Sequence, residues 1–391
     1  MSVNQLSNPD DVILLGIFMI EDNNTDLRFM KAAAELAKRG GGFVHPNPLV
    51  GCVVVKDGRV IVEGFHKKFG DFHAERNALN NCSDTNGATL YVTLEPCCHH
   101  GKTPPCTDII IEKGIARVVV GSLDPNPMVA GKGVSILRNA GVKVDVLELP
   151  ELYEMNRVFF KYIRTRLPYV VMKTAITMDG KTAADSGDSK WITNEKSRRE
   201  VHRLRSELMG IVVGINTVIT DDPMLNCRIE GDVCQPIRII ADSRASISLE
   251  SRVMHTSRQI RTVIAHTSAA SSEKIKQIHN AGAETVLCDD EDGKISINDL
   301  MRKLGAMGID SLLLEGGQNL NTSFIKARCV DEVWAFIAPK IIGGSLAKTP
   351  VANIGLSTMD LAIKLKDIEI ERFDDDILIK GKINKKPCSQ E

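Results

Sequence analysis

The chain has 391 residues, 43% of them hydrophobic and 25% charged, the profile of a soluble globular protein of about two domains. Lys and Arg total 49 against 50 Asp and Glu, a formal net charge of −1, which argues against a dedicated nucleic-acid binder with a basic excess to neutralise phosphates. Ten scattered cysteines with no secretory leader point to free thiols in a reducing cytosol rather than to a disulfide framework.

Residues 1–25 read as an N-terminal extension. Its apolar run at 12–20 is about half a membrane span and is flanked by Asp10, Asp11, Glu21 and Asp22, so neither a membrane nor a targeting role is expected. Thr25-Asp26 caps a helix that runs through Met30, Ala33 and Leu36 to the stop at Gly40-Gly41-Gly42. Strands at 50–56 and 59–63 flank Asp57-Gly58, a strong hairpin signal. A helix start at 73–79, a strand at 88–94, a helix at 106–113, a strand at 116–121, a helix at 134–139 and a strand at 142–147 complete a layered α/β domain. Residues 150–166 read as a charged, partly amphipathic connector. A second series starts at 169–172. It includes a helix at 194–208 and strands at 210–213, 237–241, 261–266, 285–288, 311–314, 333–338, 368–372 and 377–379. No internal repeat links the halves, so two different activities fit one chain.

The first half carries a chemical cluster: His73-Ala74-Glu75, then Pro96-Cys97 and Cys106. One imidazole and two thiolates can hold a zinc ion and leave one position open, where the metal makes hydroxide available near neutral pH. Glu75 is not needed as a ligand and is free to move protons, which is the site logic of zinc deaminases. Residues two apart do not share a face in mid-helix, so His73 and Glu75 make sense only at a helix's first turn. The usual C-x-x-C spacing is replaced by eight intervening residues. Cys98 stands as a rival ligand, with Cys97 favoured because it follows Pro96. A structural zinc site is the plainer alternative. Gly101-Lys102-Thr103 and Gly180-Lys181-Thr182 mimic the end of a P-loop, but Pro96 and Ala175 stand where its first glycine belongs. In the second half Leu314-Glu315-Gly316-Gly317 leads into a helical stretch and Ile342-Gly343-Gly344-Ser345 forms another turn. Either is a candidate anion site at a helix start, or a plain tight turn.

Several runs occur in order: 45–51, Gly64-Phe65-His66, His73-Ala74-Glu75, 93–106 and Asp124-Pro125-Asn126-Pro127, then 173–181, 186–193, 213–218, 221–225 and Glu315-Gly316-Gly317. Together they resemble the bifunctional riboflavin-biosynthesis deaminase–reductase family, from about residue 26 to about residue 380. The long loop between the cysteines is that family's own version. The resemblance implies a cytidine-deaminase-like three-layer αβα domain at 26–147, a connector at 148–167, a dihydrofolate-reductase-like α/β domain at 168–384 and a tail at 385–391.

It also implies one Zn2+ per chain on His73, Cys97 and Cys106, with Glu75 as proton carrier. Asn47, His66, His99, Lys102, Asp124 and Asn126 would line a pocket for a phosphoribosyl-pyrimidine. In the second domain Ile176, Trp191, Thr217, Asp221 and the run Gly317, Gln318, Asn319, Leu320, Asn321, Thr322 and Ser323 would meet NADPH. Ser189, Arg205, Leu225, Arg228 and Glu315 would meet substrate, the two arginines forking onto its phosphate. Reduction needs a proton donor, for which Lys173, Asp221 and Glu315 are open candidates. The expected partner is a small-molecule substrate in the cytoplasm, with neither nucleic acid nor membrane, and the chain is expected to be a homo-oligomer by analogy alone. A zinc deaminase of nucleic-acid bases, with the second half as scaffold, is the alternative.

Overall fold

The structure is a computed structural model that describes residues 25–100, 104–126 and 129–384. They divide into two compact units, one within 1–164 and one within 165–391.

The first unit starts with helix α1 (25–38) and a short 3-10 turn, Gly41–Val44. Strands β1 (Gly51–Lys56) and β2 (Arg59–Phe65) follow, joined at Asp57 and Gly58, whose positive φ values of 51° and 73° give the turn that matches strand twist. Helix α2 (Ala74–Leu79), β3 (Thr89–Val92), α3 (Cys106–Glu112), β4 (Arg117–Val120), α4 (Lys132–Asn139) and β5 (Lys143–Val146) come next, then α5 (Pro150–Met155) and α6 (Arg157–Thr165). The five-stranded sheet has the order β2-β1-β3-β4-β5. β1 runs antiparallel to both neighbours, and β3, β4 and β5 are parallel.

Alternation along the strands builds the two cores. Cys52, Val54, Leu90, Val92, Val118 and Val120 point to the face that packs Ala78, Ile110, Leu137 and Phe160 from α2, α3, α4 and α6. Val53, Val55, Tyr91 and Val119 point to the opposite face, against Met30 and Ala33 of α1 and Leu152 of α5. The result is the expected three-layer αβα arrangement. Gly51 is required where β1 meets α1, because a Cβ there would lie 1.9 Å from the Ala33 carbonyl oxygen.

One expectation needs correction. The segment at 148–167 is not a bare connector: α5 and α6 bury Leu152 in one core and Phe159 and Phe160 in the other. Asn156, at the break between them, is buried and pins the loop before β1. It accepts a hydrogen bond from the Leu49 amide (2.8 Å) and donates one to the Leu49 carbonyl (2.9 Å).

The second unit holds β6 (Tyr169–Thr177), α7 (Glu195–Glu207), β7 (Gly210–Gly214), α8 (Ile215–Asp221), β8 (Ile237–Ala241), α9 (Arg252–His255), β9 (Thr262–His266), α10 (Ser272–Asn280) and β10 (Glu284–Leu287). A small hairpin, β11 (Asp290–Glu291) and β12 (Lys294–Ile295), leads to α11 (Ile297–Ala306), β13 (Ser311–Leu314), α12 (Gln318–Lys326), β14 (Glu332–Ala338), β15 (Leu365–Phe373) and β16 (Asp376–Ile383). The nine-stranded sheet runs β10-β9-β8-β7-β13-β6-β14-β16-β15, parallel up to β14 and antiparallel beyond it. β13 enters late in sequence between β7 and β6, where the winding reverses. In open α/β sheets that reversal opens a crevice at the strands' carboxyl ends. Residues 1–24, with the apolar run at 12–20, lie outside the described residues. No described helix is long and apolar enough to cross a membrane.

Candidate active sites

Three side chains converge in the first unit. His73 is the N-cap of α2 in extended conformation, which frees its ring from the helix face. Cys106 is the first residue of α3, and Cys97 lies in the loop after β3. His73 Nδ1 is 3.4 Å from Cys97 Sγ and 3.6 Å from Cys106 Sγ, and the three ligand atoms all lie within 4.8 Å of one another. Tetrahedral zinc with ordinary Zn–N and Zn–S bonds separates such atoms by about 3.6 Å, so the cluster fits that ion. Cys98 is not part of this group. The long loop between the cysteines is closed at its base: the Cys106 and Thr107 amides donate to the Cys97 carbonyl at 3.1 and 3.2 Å. The Cys106 amide also donates to Cys97 Sγ at 3.4 Å. The Cys106 thiol and the His73 ring, both bonded to Cys97, hold its thiol well below the ordinary cysteine range against the effect of burial.

Glu75 lies in the first turn of α2, 3% exposed, and its buried Oε2 has no hydrogen-bond partner among the described residues. Burial, reinforced by the Cys97 charge, pushes its carboxyl up to about 7. A buried carboxyl with one oxygen uncommitted beside a ligand cluster is poised to exchange protons near neutrality. His66 packs edge-on to His73, with centroids 5.4 Å apart. Its Nδ1 lies 3.1 Å from the Phe72 carbonyl oxygen and its Nε2 3.1 Å from the Asn47 side-chain amide, while burial lowers its pKa. Asp124 accepts from the Asn126 amide at 2.8 Å, and burial pushes it up to about 6. His99 is half-buried, and its Nδ1 has no hydrogen-bond partner among the described residues. Lys102 lies outside the described residues.

Glu95 was not singled out from sequence. It is buried and accepts from the amides of Asp124 (3.3 Å), Gly131 (2.9 Å) and Val134 (3.2 Å), which fixes the loop that carries Asp124 and Asn126. The signal was its place beside Pro96-Cys97, but a carboxylate in a motif does not announce which amides it will bind.

In the second unit a cavity of about 590 Å³ opens at the carboxyl ends of the central strands. Of the expected residues, Lys173, Ser189, Thr217, Asp221, Glu315, Gly317, Gln318, Asn319, Leu320, Asn321 and Ser323 line it. Gly317 caps α12, so the first-turn amides of that helix face the cavity as anion donors. Ile176, Trp191, Arg205, Leu225, Arg228 and Thr322 are not among the lining residues. Trp191 is 64% exposed with the Arg198 guanidinium 4.6 Å from its ring centre. Thr322 is buried and accepts from the Ala352 amide at 2.8 Å, and Leu225 is buried. Thr174, Ser243, Lys294 and Lys348 line the cavity but were missed, because each comes from a different strand end or loop.

Glu315 is the electrostatic centre of this cleft. Arg205 grips it with two hydrogen bonds, Nε to Oε1 at 2.7 Å and Nη2 to Oε2 at 3.0 Å, and Lys173 Nζ lies 3.7 Å from Oε2. Burial alone would raise the Glu315 carboxyl, but the two cations outweigh it and hold the group at about 2. Burial lowers the Lys173 ammonium below the usual lysine range. Arg205 also donates to the Asn226 carbonyl at 3.1 Å. Beside it, burial and the charges of Arg205 and Arg228 push His202 down to about 4, and His202 Nδ1 accepts from the Arg228 amide at 3.3 Å.

Fold and sites together define a two-unit enzyme, a hydrolytic deaminase followed by a reductase. Residues 23–122 match the cytidine and deoxycytidylate deaminase zinc-binding region, and residues 168–379 match the RibD C-terminal domain. The riboflavin biosynthesis protein RibD of Actinobacillus pleuropneumoniae is 49% identical over 357 residues, covering 91% of this chain and 94% of that protein. Acinetobacter baumannii RibD, form 1, superposes with a TM-score of 0.84 at 35% identity, covering 93% of this chain and 99% of that one. A diaminohydroxyphosphoribosylaminopyrimidine deaminase/5-amino-6-(5-phosphoribosylamino)uracil reductase from Thermotoga maritima has a TM-score of 0.81 at 40% identity, over 92% of this chain and 99% of that one. The chain belongs to the RibD family of bifunctional riboflavin-biosynthesis enzymes.

Proposed function

We propose that the first unit hydrolytically deaminates 2,5-diamino-6-(5-phosphoribosylamino)pyrimidin-4(3H)-one, with zinc held by His73, Cys97 and Cys106. The second unit would then reduce the ribosyl side chain with NADPH to give 5-amino-6-(5-phosphoribitylamino)uracil. The observation that carries the first step is the convergence of three ligand atoms beside the buried carboxyl of Glu75, whose Oε2 has no partner among the described residues. Bound zinc supplies Lewis acidity toward water. Glu75 carries one proton from water to the ring nitrogen as the C–O bond forms, then a second from the added hydroxyl to the amine as the C–N bond breaks and ammonia leaves. His66, braced by Asn47 and the Phe72 carbonyl, and Asp124, braced by the loop that Glu95 fixes, hold the pyrimidine edge. His99 and Lys102 are the proposed donors to the phosphate.

In the second unit bound NADPH supplies the reducing equivalent. The three candidate proton donors separate by environment. Glu315 is held as a carboxylate, so it orients its partners and accepts hydrogen bonds from substrate. Asp221 sits exposed, with Lys190 4.0 Å away. Lys173, cationic, half-buried and lining the cavity, is the donor to the heteroatom that leaves the ribosyl carbon. Arg205 positions Glu315, and Arg228 reaches the substrate phosphate from the rim.

The exposed apolar residues of β15, Ile368 at 51% and Ile370 at 69%, support a homo-oligomer. The deciding experiment incubates the purified chain with the diaminopyrimidine phosphoribosyl compound, with and without NADPH. The reading expects ammonia in both cases and NADPH oxidation only when the cofactor is added. Absence of ammonia from zinc-loaded protein would refute the first assignment.

A further inference from the structure

One end of the reductase cavity has no role in the chemistry described so far. Its wall there is formed by Ala241 and Ser243 at the carboxyl end of β8, and by Lys294 and Ile295 of the β11–β12 hairpin with Ile297. β8 and β13 are separated by β7 alone, so this wall stands about two strand spacings, roughly 10 Å, from the α12 N-terminus, whose free amides suit a pyrophosphate. A dinucleotide whose pyrophosphate lies at α12 therefore extends its adenosine ribose toward β8.

Readers of an unphosphorylated ribose place a free acid at such a strand end to bond the ribose hydroxyls, whereas readers of a 2′-phosphate place a cation there. The acid at this strand end, Asp242, is buried and already engaged: it accepts from Ser246 Oγ at 3.0 Å and from the Ile247 amide at 2.8 Å. None of Asp289, Asp290, Glu291 and Asp292 in the acidic hairpin segment lines the cavity; Lys294 does. Lys294 is exposed and makes no ion pair with any described residue, and the Ser243 hydroxyl has no hydrogen-bond partner among them. A cation and a hydroxyl, both uncommitted, thus share one wall where the adenosine ribose would arrive.

We propose that Lys294 is the residue by which this enzyme distinguishes NADPH from NADH, through a charge-assisted hydrogen bond to the 2′-phosphate. This rests on the reading of the second unit as a nicotinamide-dependent reductase. The fixed α12 amides bind both cofactors alike, whereas Lys294 meets a group that only one of them carries, so its contribution falls wholly on selectivity.

The test is calorimetric binding to the full chain, as wild type, Lys294→Met and Lys294→Arg, with NADPH, NADH and adenosine 2′,5′-bisphosphate. Lys294→Met should weaken NADPH and the bisphosphate about tenfold and leave NADH within roughly twofold, and Lys294→Arg should restore the preference. An NADPH preference that survives Lys294→Met, or an equal loss of NADPH and NADH, overturns the assignment while leaving the cofactor reading intact. Wild-type protein that binds NADH as tightly as NADPH refutes the cofactor reading itself, and the role of Lys294 with it.

Discussion

Two buried glutamates, one in each unit, are driven in opposite directions by their surroundings. Glu75 has an unpartnered oxygen and a thiolate neighbour, and its carboxyl is pushed up to about 7. Glu315 is a little more open, its side chain 13% exposed, but it is gripped by Arg205 and approached by Lys173 and is held at about 2. Burial is common to both; counter-charge decides the outcome. A carboxyl left without a cation gains and loses a proton near neutrality and suits acid–base work. A carboxylate clamped by cations stays ionised and serves to orient. In the function proposed here, the two glutamates divide proton transfer and charge positioning between them.

That contrast breaks most sharply at the metal cluster. Cys106→Ala removes one of three ligand atoms, so metal content should fall to near zero and ammonia release should drop by more than about a thousandfold, with NADPH-dependent reduction intact. Elemental analysis paired with the two assays checks it, and full zinc occupancy in the variant would point to Cys98 as the ligand. Arg205→Met attacks the other glutamate. It leaves Glu315 buried with a single, longer ion pair, which should destabilise the second unit by about 3–5 kcal/mol in denaturant unfolding and abolish reduction while ammonia release persists. Equal loss of both activities would contradict the division between units.

The smallest effect concerns pH. The Glu315 carboxyl lies below its ordinary value of 4.5 when folded, so the stability it contributes is fully present above about 4.5 and is lost as pH falls toward about 2. The stability gap between wild type and Glu315→Gln, about 2–3 kcal/mol at neutral pH, should therefore close across that window. A gap that is constant from pH 6 to pH 2 would mean that the carboxylate is not held by its cations.

The metal cluster was legible because each member sits at an element boundary that local sequence marks: His73 before a helix, Cys106 behind Pro105. The hairpin of β1 and β2 was likewise marked locally, by the Asp57-Gly58 turn. The helices α5 and α6 were hidden because charge around Tyr153, Phe159 and Phe160 resembles a solvated linker, and only tertiary packing shows those rings closing a core. Asn156 and Glu95 were invisible for another reason: a buried polar side chain that clamps distant backbone has no periodic signature. The reductase cavity was half legible. Glu315-Gly316-Gly317 marks a strand-to-helix turn, but Ser243 and Lys294 meet it only through the strand order, which no local pattern encodes. Gly133 shows the same limit, since it is required only because a Cβ there would lie 2.1 Å from the Pro96 carbonyl oxygen.

The central claim is that Glu75 carries the proton while His73, Cys97 and Cys106 carry the metal. Glu75→Gln keeps the shape and the ligand set but removes the exchangeable proton. Zinc content measured alongside ammonia release should stay near one per chain while turnover falls by about a hundredfold to ten-thousandfold. Near-normal ammonia release from zinc-replete Glu75→Gln protein would contradict it.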